Sequence, residues 1–272
     1  LGRQGNGGDA RLQDPARFIG FNQHEDQLTD FFLENHGLKI QFKLYEGGKV
    51  NEDNGQFKDL IVESALTNII DYEDAVTIVD AEDMVMAMRN YLGIIRGDLL
   101  AYGSRSNLKT INSDKTLVDV DGNEQILKGT SLMSVRNVSL HMYTDIVKVD
   151  GRDIPERILG VLLTTLIATA HDKGSHGEER QKGRGEGPMP IRGPNSSKGY
   201  VYQVTPKLQT AEEVAEQVRL FAAIEERLGL AEGTILIGIM NEEFGMTLQL
   251  AESLKAAQGR TFFINTGFLE DR

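Results

Sequence analysis

The chain has 272 residues, 40% apolar and 26% charged, with a net charge of −12 and no cysteine. That length holds one large or two small domains of ordinary globular composition. The acid surplus excludes a nonspecific nucleic-acid binder, and the missing cysteines exclude disulfides, a thiolate metal site and a cysteine nucleophile and suit a reducing, cytoplasmic setting.

Leu1 is not a methionine and no signal-like stretch follows, so a fragment or a trimmed chain is expected. The N-terminal part reads as β-rich. LKIQFKLY, Leu38–Tyr45, alternates apolar and polar side chains, and the LTDFFLE run and NHG turn before it predict a hairpin. From about Asp59 the pattern passes to alternating strands and helices. TNIIDYED is a short strand ending in Asp71, Glu73 and Asp74. Asp80 reads as a helix N-cap, with Glu82 and Asp83 in the first turn, where the helix dipole favours anions. Met84, Met88, Tyr91, Leu92 and Ile95 share one face of that helix, and Gly97 can end it.

Gly103–Gly129 is polar, with short strands and an Asp121–Gly122 turn. LMSVRNV, Leu132–Val138, is the next strand. A helix is predicted from about Pro155, a residue suited to the first helical position. Its apolar run, Ile158–Ala170, falls short of the roughly 18–20 residues that span a bilayer, so a buried helix is expected and no membrane segment. Gly174–Gly199 holds seven glycines and three prolines without an apolar period, which predicts a mobile surface loop. YVYQVTPK, Tyr200–Lys207, is a strand. TAEE at Thr210 is a capping box with Glu213, and Gly229 can close the helix carrying Val214, Val218, Phe221 and Leu228. ILIGIMNEE, Ile235–Glu243, is a strand, a helix over about Thr247–Ala257 follows, and TFFINTGFLE ends the run.

Alternating strands and helices predict a parallel sheet with helices outside. In a (β/α)8 barrel the carboxyl ends of the strands meet at one mouth. Each predicted strand ends in charge: Asp71, Glu73 and Asp74; Arg136; Lys207; Glu242 and Glu243; Glu270 and Asp271. Hard carboxylates without cysteine or clustered histidine suit Mg²⁺. A nearby arginine can grip a carboxylate or stabilise an oxyanion.

DYEDAVTIVDAED, SVRNV, GIMNEE and FINTGFL, in this order and spacing, resemble the G isoform of the malate synthases, with RNYLG and IPERIL matching between them. The resemblance runs from ARFIGF at Ala16 to Leu269. It implies a TIM barrel carrying an inserted α/β domain, and a Mg²⁺-dependent Claisen condensation of acetyl-CoA with glyoxylate and water to give malate and CoA. By motif, residues 1–64 and 98–130 would belong to the inserted, β-rich α/β domain. Residues 65–97 and 131–272 would form a partial TIM barrel of about five strands, with 174–199 as the mobile loop.

Carried over residue by residue, Arg136 matches the catalytic arginine that binds glyoxylate and stabilises the developing negative charge. Glu242 matches a magnesium ligand, and Glu73 an acid at the metal's outer shell. Gly267, Phe268 and Leu269 match the backbone that receives glyoxylate. Lys109 lies where the family has an arginine near CoA. Three departures stand out. Glu270 takes the place of an aspartate after GFL, so either it or Asp271 is the expected metal ligand. Ala75 replaces a serine at a CoA contact. The family's aspartate base would lie beyond Arg272, so this chain by itself is expected to be inactive and to need the remaining segments to close the barrel, the complete enzyme being a monomer. The alternatives are a citrate lyase β-type CoA-ester lyase or aldolase, which shares the acidic motif, and a ligand-binding remnant without chemistry.

Overall fold

The computed structural model describes residues 2–3, 9–10, 12–25, 27–36, 38–45, 57–63, 67–102, 108–112, 114–129, 131–173, 181–182, 188–189, 194–196 and 198–266. Apart from a 3-10 turn at Pro15–Arg17 and two-residue strands at Gly2–Arg3, Asp9–Ala10, Gln181–Lys182 and Pro188–Met189, the elements in chain order begin with β1 (Phe18–His24), β2 (Gln27–Asn35), β3 (Leu38–Leu44), β4 (Phe57–Glu63) and β5 (Thr67–Asp71). Then come α1 (Ala81–Arg96), β6 (Leu100–Tyr102), β7 (Leu108–Thr110), β8 (Lys115–Val118), β9 (Glu124–Leu127) and β10 (Leu132–Arg136). The rest are β11 (Tyr143–Val149), β12 (Arg152–Pro155), α2 (Glu156–Lys173), β13 (Val201–Thr205), α3 (Ala211–Leu228), β14 (Ile235–Met240), α4 (Phe244–Leu248), α5 (Leu250–Ala256) and β15 (Thr261–Asn265).

These elements fall into two compact units, Leu1–Thr67 with Asn112–Ser131, and Asn68–Ile111 with Leu132–Arg272. Residues 98–111, expected with the β-rich domain, group with the second unit.

The first unit is an antiparallel six-stranded sheet in the order β9-β8-β1-β2-β3-β4. Period-two alternation gives it two faces. Phe32 is fully buried with Leu117 and Leu127, while the adjacent Phe31 stacks on Phe42 at 4.7 Å between ring centres. His36, at φ 51, turns β2 into β3, and Gly122, at φ 83, turns β8 into β9. Asp59 lies inside β4. The change to alternating elements therefore comes later than expected, after a strand that completes this sheet.

In the second unit five strands stand in the order β15-β14-β13-β10-β5. Pairs β10–β13, β13–β14 and β14–β15 are parallel. Each of the first four strands is followed by helix: α1 after β5, α2 after β10, α3 after β13, and α4 with α5 after β14. Helix α1 packs on α2, α2 on α3, and α3 on α5. The core joins Met84, Met88 and Tyr91 of α1 to Val161, Val214, Phe221, Ile235, Ile237 and Ile239. Strand β14 is apolar throughout, as in a parallel strand covered on both faces. Sequential strands with helices between them make this unit a partial (β/α) barrel, and among the described residues the sheet is open.

The caps follow the sequence. Asp80 accepts from the backbone N–H of Glu82 and Asp83, and Gly97 closes α1 at φ 80. Thr210 and Glu213 form the reciprocal capping box of α3. The helix expected from about Pro155 is α2, which starts at Glu156, directly after Pro155 closes a hairpin of Tyr143–Val149 and Arg152–Pro155 around Asp150 and Gly151, both at positive φ. One expectation is corrected. The helix after β14 is two short helices broken at Gln249.

The loop read at 174–199 lies mostly outside the described residues. At its far end, Asp172 accepts from the backbone N–H of Asn195 and Ser196. The Asn195 amide in turn pairs with both the N–H and the C=O of Met133 on β10. No helix among the described residues is long and apolar enough to cross a membrane.

Candidate active site at the carboxyl ends of the strands

Parallel strands put their C-terminal residues at one edge, and there the charged side chains gather. Asp71 ends β5 and Arg136 ends β10. The backbone joins them through Tyr72 N–H to Arg136 C=O at 2.9 Å. Arg136 donates from Nε to Asp71 Oδ1 at 2.8 Å and from Nη2 to Asp71 Oδ2. Nη2 also reaches Asp74 Oδ2 at 2.9 Å. Asp71 additionally accepts from the N–H groups of Glu73 and Asp74, which curls the chain after β5 into a tight turn.

This geometry sets the electrostatics. Burial pushes the Asp71 carboxyl up, but the Arg136 hydrogen bond, the two backbone donors and the guanidinium charge outweigh it and hold it below the usual carboxylate range. The Asp71 hydrogen bond, against the opposing effect of burial, raises Arg136 in turn. The guanidinium thus offsets the repulsion between Asp71 and Asp74 by direct contact.

Side-on pairing through Nε and Nη2 leaves Nη1 pointing elsewhere. It lies 4.0 Å from Oε2 of Glu242, two residues past the end of β14. Both side chains are mostly buried, Arg136 at 14% and Glu242 at 10% exposed. Oε1 of Glu242 accepts from the Lys207 backbone N–H at 2.8 Å. Lys207, at φ 58, follows β13, so a strained turn from one strand fixes the carboxylate of the next. Oε2 is left facing Nη1 at a distance too long for a hydrogen bond.

Glu73 is held from another direction: its Oε2 accepts from Ser139 N–H at 2.7 Å, in the turn after β10. Arg136 and Glu242 therefore converge, and Glu73 anchors the loop beside them. Ala75 is exposed in the turn after Asp74. Lys109 is exposed on β7, in the separate two-stranded β6–β7 sheet. Gly267, Phe268, Leu269, Glu270 and Asp271 lie outside the described residues. Among the described residues no three carboxylate or imidazole groups converge as a cage; beside Asp71 and Asp74, which bond the guanidinium directly, Glu242 turns an oxygen toward its Nη1.

Sequence reasoning missed Asp71 as the partner of Arg136 and Ser139 as the anchor of Glu73. The spacing DYED carries no sign of a cation 65 residues away. It also missed the buried polar layer under the mouth, where Asn137 donates to Gln203 Oε1 at 2.8 Å and Gln203 donates to Thr164 Oγ1 at 2.8 Å.

Parallel strands with helices between them, and charged side chains gathered at their carboxyl ends, mark the chain as part of a (β/α)-barrel protein. Residues 132–272 match the model of the family described as Malate synthase, TIM barrel domain, and the chain belongs to the malate synthase family. It is similar to Malate synthase G of Halalkalibacterium halodurans, 37% identical over 265 residues, covering 96% of this chain and 34% of that protein. It is also similar to Malate synthase G of Corynebacterium efficiens, at 35% identity over 97% of this chain and 34% of that protein. The protein of that name from Corynebacterium glutamicum is 33% identical over 96% and 34%. The chain thus spans about a third of the length of the curated relatives it matches.

Proposed function

We propose that this chain supplies the glyoxylate-binding side of a malate synthase, an acyltransferase whose complete form condenses acetyl-CoA with glyoxylate and water to give malate and CoA. The observation that carries this reading is Nη1 of Arg136, which has no hydrogen bond among the described residues while Asp71 holds the guanidinium and Nη1 faces Glu242. A small α-keto-type acid offers carboxylate and carbonyl oxygens to such a cation. A planar, permanently charged donor suits both the bound oxyanion and the charge that develops on a carbonyl under attack.

The donor chemistry here fits Mg²⁺. That ion needs one or two protein carboxylates, with water and substrate filling the rest. Glu242 would hold it through Oε2, with Glu270 or Asp271 as a second ligand and Glu73 farther out. When bound, the ion supplies Lewis-acid polarisation of the glyoxylate carbonyl. Asp71 keeps the guanidinium plane fixed, Arg136 binds glyoxylate oxygen through Nη1, and the Lys207 turn keeps Glu242 from swinging onto the arginine. The proton leaving the acetyl methyl group is assigned to a carboxylate outside the motifs of this chain. Lys109 and the backbone around Ala75 are assigned to CoA, and Gly267, Phe268 and Leu269 to glyoxylate. The acidic, cysteine-free chain is placed in the cytoplasm, within a monomer whose remaining segments complete the barrel.

Calorimetry on the full-length protein tests the site. Glyoxylate binding should require Mg²⁺ and should be lost in Arg136→Lys and weakened in Glu242→Gln. Turnover of citramalyl-CoA or malyl-CoA in preference to glyoxylate with acetyl-CoA would replace this reading with the lyase one.

A further inference from the structure

Beneath the mouth, at the second residue of α2, Arg157 is 1% exposed. A guanidinium taken out of water is costly unless its donors are met. Here they are met by uncharged oxygens. Nε donates to the Val138 carbonyl, Nη2 to the Asn137 carbonyl at 3.4 Å, and Nη1 to Gln217 Oε1 at 2.8 Å on α3. Asn137 and Val138 lie between Arg136, which faces Glu242, and Ser139, whose N–H holds Glu73. The same turn is locked from its side-chain side, since Asn137 Nδ2 donates to Gln203 and Thr164. Helix α2 lies so close that a Cβ on Gly160 would sit 2.4 Å from Asn137 Oδ1.

We propose that Arg157 is a positioning residue for the active site: by holding the Asn137 and Val138 carbonyls from below, it sets the angle of Arg136 and the placement of the Glu73 anchor. The role rests on the functional reading above for its chemistry, but its geometry stands apart from that reading. A simple core residue would fill this space with carbon. A buried arginine with two bonds to one turn fixes where that turn's backbone points, and a shift of about 1 Å in such a support can cost up to about 10²-fold in rate.

The test uses Arg157→Lys and Arg157→Met in the full-length protein, with Arg260→Lys as a control. Arg260 is a buried arginine at the opposite ends of the strands, where it bonds Glu225 and the Ile235 carbonyl. Hydrogen exchange at the Ser139 amide is the first readout. It should speed up about tenfold or more in both Arg157 variants, and not in Arg260→Lys. The second readout is kinetic. The Arg157 variants should raise KM for glyoxylate and lower kcat while KM for acetyl-CoA stays within about twofold, with Lys retaining more than Met, whereas Arg260→Lys should lower Tm alone. If Arg157→Lys only lowers Tm, with Ser139 protected and glyoxylate kinetics unchanged, Arg157 is a packing residue and the inference is overturned. If the Met variant does not fold, the Lys variant decides. If the unaltered protein shows no glyoxylate turnover, the functional reading fails, and Ser139 exchange alone decides the role of Arg157.

Discussion

Asp71 and Arg136, 65 residues apart in the chain, lock side-on at the ends of neighbouring strands, Nε to Oδ1 at 2.8 Å and Nη2 to Oδ2. The pairing uses one edge of the guanidinium and turns the other nitrogen toward Glu242, 4.0 Å away. One carboxylate therefore decides which donor of the arginine is left for a ligand. In Asp71→Asn the neutral amide presents only one oxygen, so the second bond is lost and Nη1 is no longer aimed. The expected result in the full-length protein is a fall in kcat of about 10- to 100-fold, measured with saturating glyoxylate and acetyl-CoA.

Arg136→Lys removes the fork itself. Lysine cannot bridge Asp71 and reach toward Glu242 together. The expected loss in kcat is about 10²-fold or more, and near-normal turnover would dismiss the assigned role of Arg136.

Glu242→Gln keeps the shape of the side chain and its bond from Lys207 but removes the charge that a hard cation needs. The Mg²⁺ affinity, read by calorimetry, should fall by at least about tenfold, and an unchanged affinity would discard Glu242 as a ligand.

Acid should weaken the fold through carboxylates whose native pKa is depressed. Asp71 is one, held down by Arg136 and backbone donors against burial. Glu225 is another: burial pushes it up, but the Arg260 hydrogen bond and the Ile235 and Gly233 N–H groups bring it below its ordinary value. Such groups bind fewer protons folded than unfolded. Their stabilisation is fully present above the unfolded carboxylate range, near pH 4, and is lost as pH falls through the lower folded values. Denaturant melts between about pH 2 and pH 6 should show this slope, and Asp71→Asn should flatten part of it.

At the opposite ends of the strands, Arg260 meets Glu225 through two bonds of 2.7 and 2.8 Å, with the two side chains 8% and 2% exposed. Arg260→Met would strand a buried carboxylate. The expected cost is about 3–5 kcal/mol in urea unfolding, without change in Mg²⁺ affinity.

Much of the local structure was written in the sequence, because it depends on neighbours within a few residues. Asp80 caps α1 and Thr210 with Glu213 boxes α3 through bonds spanning two or three positions. The period-two run at Leu38–Leu44 and the apolar run of β14 gave their strands for the same reason. The order of charged strand ends gave the mouth, since parallel strands allow only one edge for them. Pro155 marked the start of α2 to within one residue, because its fixed φ suits a strand end and a helix start alike, and its pairing with Tyr143 makes Glu156 the first helical residue. The acids of the DYED turn read as a cluster awaiting a cation. The fold supplies one from the chain itself, by bringing β10 beside β5. Which oxygen of Glu242 is occupied, which nitrogen of Arg136 faces Glu242, and why Arg157 is buried depend on contacts between elements far apart in the chain. No spacing along the sequence encodes those contacts, because they exist only once sheet and helices have packed.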